Sequence, residues 1–169
     1  MDINGKHVVV DLETLSTKSN AAIVSIGAIK IENLRKTDTF YINVDARQGK
    51  EAGLDIDPDT INWWANQPKE QQLAWQKDPD LMEFAFKQFT DWYGNESIPI
   101  WGYGANFDVV ILENAFKAIG HHIPWKFWDI YCLRTMMNVL DKRLPKANNH
   151  NALDDANAQA SMLLEILKS

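Results

Sequence analysis

The chain has 169 residues, 46% hydrophobic and 24% charged, enough apolar material for one sizeable core and too much for a disordered or collagen-like chain. Its 17 basic residues against 23 acidic ones leave a net charge of -6, which excludes a coat protein held on nucleic acid by overall charge. An enzyme that meets phosphate through bound cations stays open, because divalent ions held by acids reverse the charge encountered locally.

No apolar run approaches the ~20 residues that span a bilayer, and Met1-Asp2-Ile3-Asn4-Gly5-Lys6 lacks the apolar stretch of a secretory signal. The expectation is a cytoplasmic protein with no membrane partner. Cys132 is the sole cysteine, so it offers neither an internal disulfide nor a CxxC site and reads as a small buried hydrophobe. With no repeat and no Ser/Gly linker, residues 1–169 read as a single domain.

In chain order, the β-branched run Lys6 to Asp11, the alternating stretch Ala22 to Ile31 and the short run Asp38 to Val44 predict three strands in an antiparallel meander. Asp57-Pro58 and Asp78-Pro79 each set an acid before a proline, the pattern of an N-cap followed by a first helical residue, and predict two helices. Met82, Phe86, Phe89 and Tyr93 supply the 3-to-4 spacing of the second. Ile98 to Tyr103 predicts a strand, followed by a helix from about Phe107 that stops near Gly120. A helix is expected from Ile130 to Leu140, with Asp129 as its N-cap. A final helix spans roughly Ala152 to Leu167 on a stripe of Ala152, Ala156, Ala160, Leu163, Leu164 and Leu167. A meander followed by alternating strands and helices describes an α/β domain on a mixed sheet.

Two acids interrupt the first strand at i and i+2. The period of 2 puts Asp11 and Glu13 on one face, where like charges raise each other's pKa unless a cation neutralises them. A strand end running into a polar turn would explain that pair alone. Gly102-Tyr103-Gly104-Ala105-Asn106-Phe107-Asp108 then sets an acid in the first turn of a helix, a place the helix dipole favours by itself. In His150-Asn151-Ala152-Leu153-Asp154-Asp155, the histidine precedes the last helix and Asp155 lies one turn in.

Together, DxE on the first strand, NFD at a helix start and HxAxxD opening the last helix resemble the DEDD superfamily of 3′–5′ exonucleases, histidine subclass. From Val8 to about Leu167 the chain is similar in motif order and spacing to the proofreading exonuclease subunit of bacterial replicases, ribonuclease T and oligoribonuclease. The helix at Asp57 to Trp64 makes it most similar to compact single-domain exonucleases of bacteria and phages. Leu15, where many relatives have a second threonine, is a departure that touches the nucleotide-facing turn and not the acids.

The resemblance implies a ribonuclease H-like fold and a metal-dependent 3′–5′ exonuclease acting on single-stranded DNA or RNA 3′ ends and releasing nucleoside 5′-monophosphates. It implies that Asp11, Glu13, Asp108 and Asp155 hold two divalent cations, Mg²⁺ or Mn²⁺. All-oxygen ligation without thiolate suits those hard ions. Asp11 is expected to bridge both, Glu13 and Asp155 to complete one, and Asp108 to reach the other. His150 becomes the general base, a task suited to imidazole, rather than a solvated loop residue beside Asn148 and Asn149. Asp154, one residue off the ligand position, is expected to face solvent.

For substrate, the resemblance directs Leu12, Thr14 and Leu15 to the terminal nucleotide, Asn106 to backbone or sugar and Phe107 to a base, with turn packing and a buried Phe107 as the ordinary alternatives. Trp63 and Trp64, adjacent on a helix and so about 100° apart, can place one indole in the core and the other in the cleft. A base stacked on such a ring is worth ~1–3 kcal/mol. A two-metal endonuclease on the same fold and a non-catalytic nucleic-acid-binding module are the rival readings. Ribonuclease T and oligoribonuclease are dimers, which leaves a homodimer open, and no residue here settles RNA against DNA.

Overall fold

The computed structural model describes residues 2–104, 106–144 and 150–169. Ala105, Asn148 and Asn149, quoted with the motifs above, lie outside the described residues. The chain runs through β1 (His7–Thr14), β2 (Ile23–Glu32), β3 (Arg35–Asn43), α1 (Ala46–Glu51), α2 (Pro58–Ala65), α3 (Lys69–Ala74) and α4 (Met82–Tyr93). It continues through β4 (Ile100–Gly102), α5 (Asp108–Ala118), a 3-10 turn at Phe127–Asp129, β5 (Ile130–Cys132), α6 (Leu133–Val139) and α7 (Ala152–Lys168).

These strands form one mixed sheet of order β3-β2-β1-β4-β5. The first three are the expected antiparallel meander, while β4 joins β1 in parallel and β5 joins β4 in parallel. Chain direction of growth therefore reverses between β1 and β4, and the carboxyl ends of two adjacent parallel strands open into the crevice where α/β sheets bind ligands.

The period of β1 sorts its side chains between two layers. Val8, Val10 and Leu12 join Phe86 and Phe89 of α4 and Leu112 and Phe116 of α5 in one cluster. Val9 joins Trp101, Leu133 of α6 and Ala156, Ala160 and Leu163 of α7 in another. Each fully buried Phe or Leu contributes about 1.5–3 kcal/mol. Asp11 and Glu13, in phase with Val9, are thereby aimed at the α7 layer.

Several expectations need correction. β2 alternates in direction but is buried almost throughout, because helices cover both faces of the sheet at that strand. Asp78-Pro79 does not cap a helix: Asp78 has φ +46°, and Asp80, two residues on, is tied by backbone bonds to Asn43 and Asp45 at the end of β3. The helix starts at Met82 after Leu81, without a side-chain cap. Ile130–Cys132 is strand and only Leu133–Val139 is helical, since those three residues pair with Ile100–Gly102. Asp129 consequently caps no helix; it ends the 3-10 turn and accepts a hydrogen bond from Ser97 Oγ at 2.6 Å. Cys132 is half-buried rather than core, and its Sγ caps α6 by accepting from Thr135.

Candidate active site

β1 carries Asp11 and Glu13 to the carboxyl edge of the sheet, with a bulge between Glu13 and Thr14 where the ladder ends. α7 begins beside them. Asn151 caps it by accepting from the backbone N–H groups of Leu153 and Asp154 at 3.0 and 3.2 Å, which sets Asp155 one turn in and facing β1. One carboxylate oxygen from each of Asp11, Glu13 and Asp155 lies within 4.8 Å of the others. Asp154, one residue earlier, is exposed.

Asp108 stands outside that trio, 4% exposed at the start of α5. Its Oδ2 accepts from the Tyr103 backbone N–H at 3.2 Å. Gly102 makes the approach feasible, because a Cβ there would lie 3.2 Å from the same oxygen. The four acids thus come from β1, α5 and α7.

Their electrostatics are those of a buried acid cluster whose mutual repulsion is only partly offset, by Arg134 at Asp108 and His150 at Asp155. Burial first, and then the Asp108, Glu13 and Asp155 charges, push the Asp11 carboxyl well above the usual carboxylate range. Burial likewise raises Glu13 to about 8, with Asp155 and Asp108 adding to it. Asp108 rises to about 6 through burial, tempered by backbone N–H groups and by the Arg134 guanidinium. Asp155 is raised by burial while His150 opposes the shift. Hard oxygen donors that repel one another when ionised are a donor set that divalent cations fit.

Beside the acids is a cleft of about 540 Å³ lined by Leu12, Glu13, Thr14, Asp57, Thr60, Trp63, Trp64 and Phe107, among others. α2 forms one wall. Its start follows the predicted chemistry, with Asp57 accepting from the Thr60 backbone N–H and Pro58 at the first helical position. Trp64 points inward, 3% exposed, and its Nε1 donates to the Thr14 carbonyl at 3.0 Å, tying α2 to the end of β1. Trp63 packs edge-on against Trp64, 5.0 Å between ring centroids, and is 43% exposed. His150, with φ +42°, sets its ring edge-on to Trp63 at 4.7 Å between centroids.

Two residues directed to substrate in the sequence lie elsewhere. Leu15 is 4% exposed and packs with Val24 and Trp64, so it supports the cleft from beneath. Asn106 is exposed and outside the cleft lining.

Two further residues reach the acids without any motif to announce them. Gln159, one turn beyond Asp155, donates from Nε2 to Asp11 Oδ1 at 2.6 Å. Arg134 lies over the Tyr103 ring at 4.6 Å and acts electrostatically on Asp108. The sequence signal for Gln159 was a polar residue in phase with the apolar stripe of the last helix.

The sheet order and the helix layers define a ribonuclease H-like nuclease fold, and comparisons with solved structures agree. The nuclease domain of 3′hExo, a DEDDh family member bound to rAMP, superposes with a TM-score of 0.64 at 14% identity, covering 98% of this chain and 92% of that one. Exonuclease I of E. coli in complex with a dT13 oligonucleotide gives 0.68 at 15% identity, covering 96% of this chain and 41% of that one. In sequence, the chain is 25% identical over 186 residues to the PolC-type DNA polymerase III of Caldanaerobacter subterraneus subsp. tengcongensis, a match that takes in 98% of this chain but spans only 12% of that polymerase. Residues 6–167 match the 3′-5′ exoribonuclease Rv2179c-like domain, and the chain belongs to that family.

Proposed function

We propose that residues 1–169 act as one metal-dependent 3′–5′ exonuclease domain that hydrolyses the terminal phosphodiester of a single strand and releases nucleoside 5′-monophosphates. The observation that carries this reading is the convergence of Asp11, Glu13 and Asp155 within 4.8 Å beside a cleft of nucleotide size. Family membership supports the polarity and makes RNA the first substrate to test. The oligonucleotide bound to E. coli Exonuclease I keeps DNA as the comparison.

Asp11, Glu13, Asp155 and Asp108 would hold two divalent cations, Mg²⁺ or Mn²⁺. When bound, such ions supply positive charge that offsets the phosphate and the charge developing on the attacking and leaving oxygens. The remaining chemistry belongs to side chains. His150 takes the proton from the attacking water, its ring held edge-on against Trp63, which lines the cleft. Trp63 offers its exposed face to a base, while Leu12 and Phe107 line the floor against which the terminal nucleotide rests.

Digestion of matched 5′-labelled RNA and DNA oligomers, with a circular strand alongside, tests this proposal. A ladder that shortens from the 3′ end, with the circle intact, is the expected result. Cutting of the circle would instead establish the endonuclease, and binding without cleavage in Mn²⁺ would establish the non-catalytic module.

A further inference from the structure

Gln159 is a polar side chain in an apolar place. It is 4% exposed on a face of α7 otherwise built from Ala156, Ala160 and Leu163, where a methionine of similar size would pack without polar atoms. Its Nε2 donates to Asp11 Oδ1 at 2.6 Å, and its Oε1 is buried with no hydrogen-bond partner among the described residues. Burying an unpaired acceptor costs stability, so packing alone does not account for an amide here.

We propose that Gln159 is the positioning residue for the cation site: its amide clamps Oδ1 of Asp11 and fixes which side of that carboxylate turns toward Glu13 and Asp155. The inference rests on the functional reading above. A carboxylate oxygen has two lone pairs, so it accepts from Gln159 and still keeps a donor pair for a cation. A neutral donor suits the task. Lysine at this position would neutralise Asp11 and compete with the cation, and glutamate would add a further negative charge to four that already repel. Geometry fixes the reach. Gly27 pairs with Asp11 across the β1–β2 ladder, and its missing side chain lets the start of α7 lie against the sheet, bringing Asp155 and then Gln159 over β1.

Outer partners of metal ligands are worth about 10–100-fold in metal affinity or activity. Calorimetric Mn²⁺ titration of the whole protein is therefore compared among wild type, Gln159→Met and Gln159→Asn, with melting curves in chelator and single-turnover cleavage of a labelled oligonucleotide. The methionine variant should melt at or above the wild-type temperature without metal, bind Mn²⁺ about 10–100-fold more weakly and recover its rate at saturating Mn²⁺, with KM for the strand unchanged. Asparagine keeps the amide but withdraws it from Asp11, so it should lose Mn²⁺ affinity equally, and it carries the test if methionine folds poorly. Wild-type Mn²⁺ affinity in both variants would overturn the inference, as would a rate loss that saturating metal does not relieve. A wild-type protein that ignores Mn²⁺ would overturn the functional reading and this inference together.

Discussion

Asp11 and Gly27 are register partners across the β1–β2 ladder, and the glycine determines what the aspartate can meet. A Cβ on Gly27 would stand 2.2 Å from the Ala152 carbonyl carbon and 2.3 Å from the Leu153 nitrogen, both backbone atoms of α7. The helix that brings Asp155 and Gln159 to Asp11 is therefore seated on a missing side chain.

Gly27→Ala should consequently force α7 off the sheet. Overpacking of this kind costs about 1–3 kcal/mol, and here the clash is with backbone that has no rotamer to escape into. Activity should fall further than stability, since a displacement of about 1 Å at reacting groups costs on the order of 100-fold. Melting temperature and cleavage rate measured together check this; an alanine variant with unchanged rate would show that α7 has slack at Ala152.

The acids predict a pH effect on the metal-free protein. Burial and neighbouring charge hold Glu13 at about 8 when folded, against 4.5 ordinarily, so between those values the folded state keeps a proton that the unfolded chain has lost. Stability contributed through Glu13 is then full below about pH 4.5 and is lost as pH rises toward 8. In chelator, the melting temperature of Glu13→Gln relative to wild type should climb from pH 5 to pH 8, an effect of at most a few kcal/mol given ~1.4 kcal/mol per pKa unit. Saturating Mn²⁺ should reverse the order. A gap that stays constant with pH would mean the repulsion is relieved some other way.

Asp11 and Asp154 provide an internal comparison. Asp11→Asn removes a charge that three other acids oppose, so without metal the variant should be at least as stable as wild type, yet cleavage should drop by several orders of magnitude. Asp154→Asn changes an exposed residue next to Asp155 and should stay within about twofold. Matched rates and melting curves decide; if Asp154→Asn were the more damaging, the register of the last motif would be wrong by one.

What sequence made legible here was whatever a period or a motif announces. The alternation of β1 put Asp11 and Glu13 on one face, and the cap at Asp57-Pro58 was found where it was expected. Adjacency on a helix gave Trp63 and Trp64 different exposure, 43% against 3%, although both rings border the cleft. Signals shorter than a period failed. Ile130–Cys132 is three residues long, so it merged with the helix that follows, and its strand character comes from pairing with β4, a tertiary fact. Asp78-Pro79 has the composition of a cap, but backbone bonds from Asp80 to the end of β3 claim that segment first. The six-residue helices α1 and α3 have too few turns to show a stripe. Gln159 could not be assigned because its role depends on a partner 148 positions away.

His150 carries the prediction that separates proton transfer from metal binding. Its ring sits edge-on to Trp63 at 4.7 Å and is not among the carboxylates that gather within 4.8 Å of one another. If it acts only on the attacking water, His150→Ala should lower turnover by about 10²–10⁴ while leaving Mn²⁺ affinity and strand binding close to wild type. Trp63→Ala should give a mixed result if, as proposed, the indole that packs against the imidazole also stacks on a base. KM should rise from the lost stacking, and kcat should fall, by less than in His150→Ala, because an unsteadied ring still reaches the water in part of the population. Single-turnover cleavage beside calorimetric Mn²⁺ titration reads all three quantities. Loss of metal and rate together in His150→Ala would make the histidine a ligand, and a wild-type rate would return it to an ordinary loop residue packed on tryptophan.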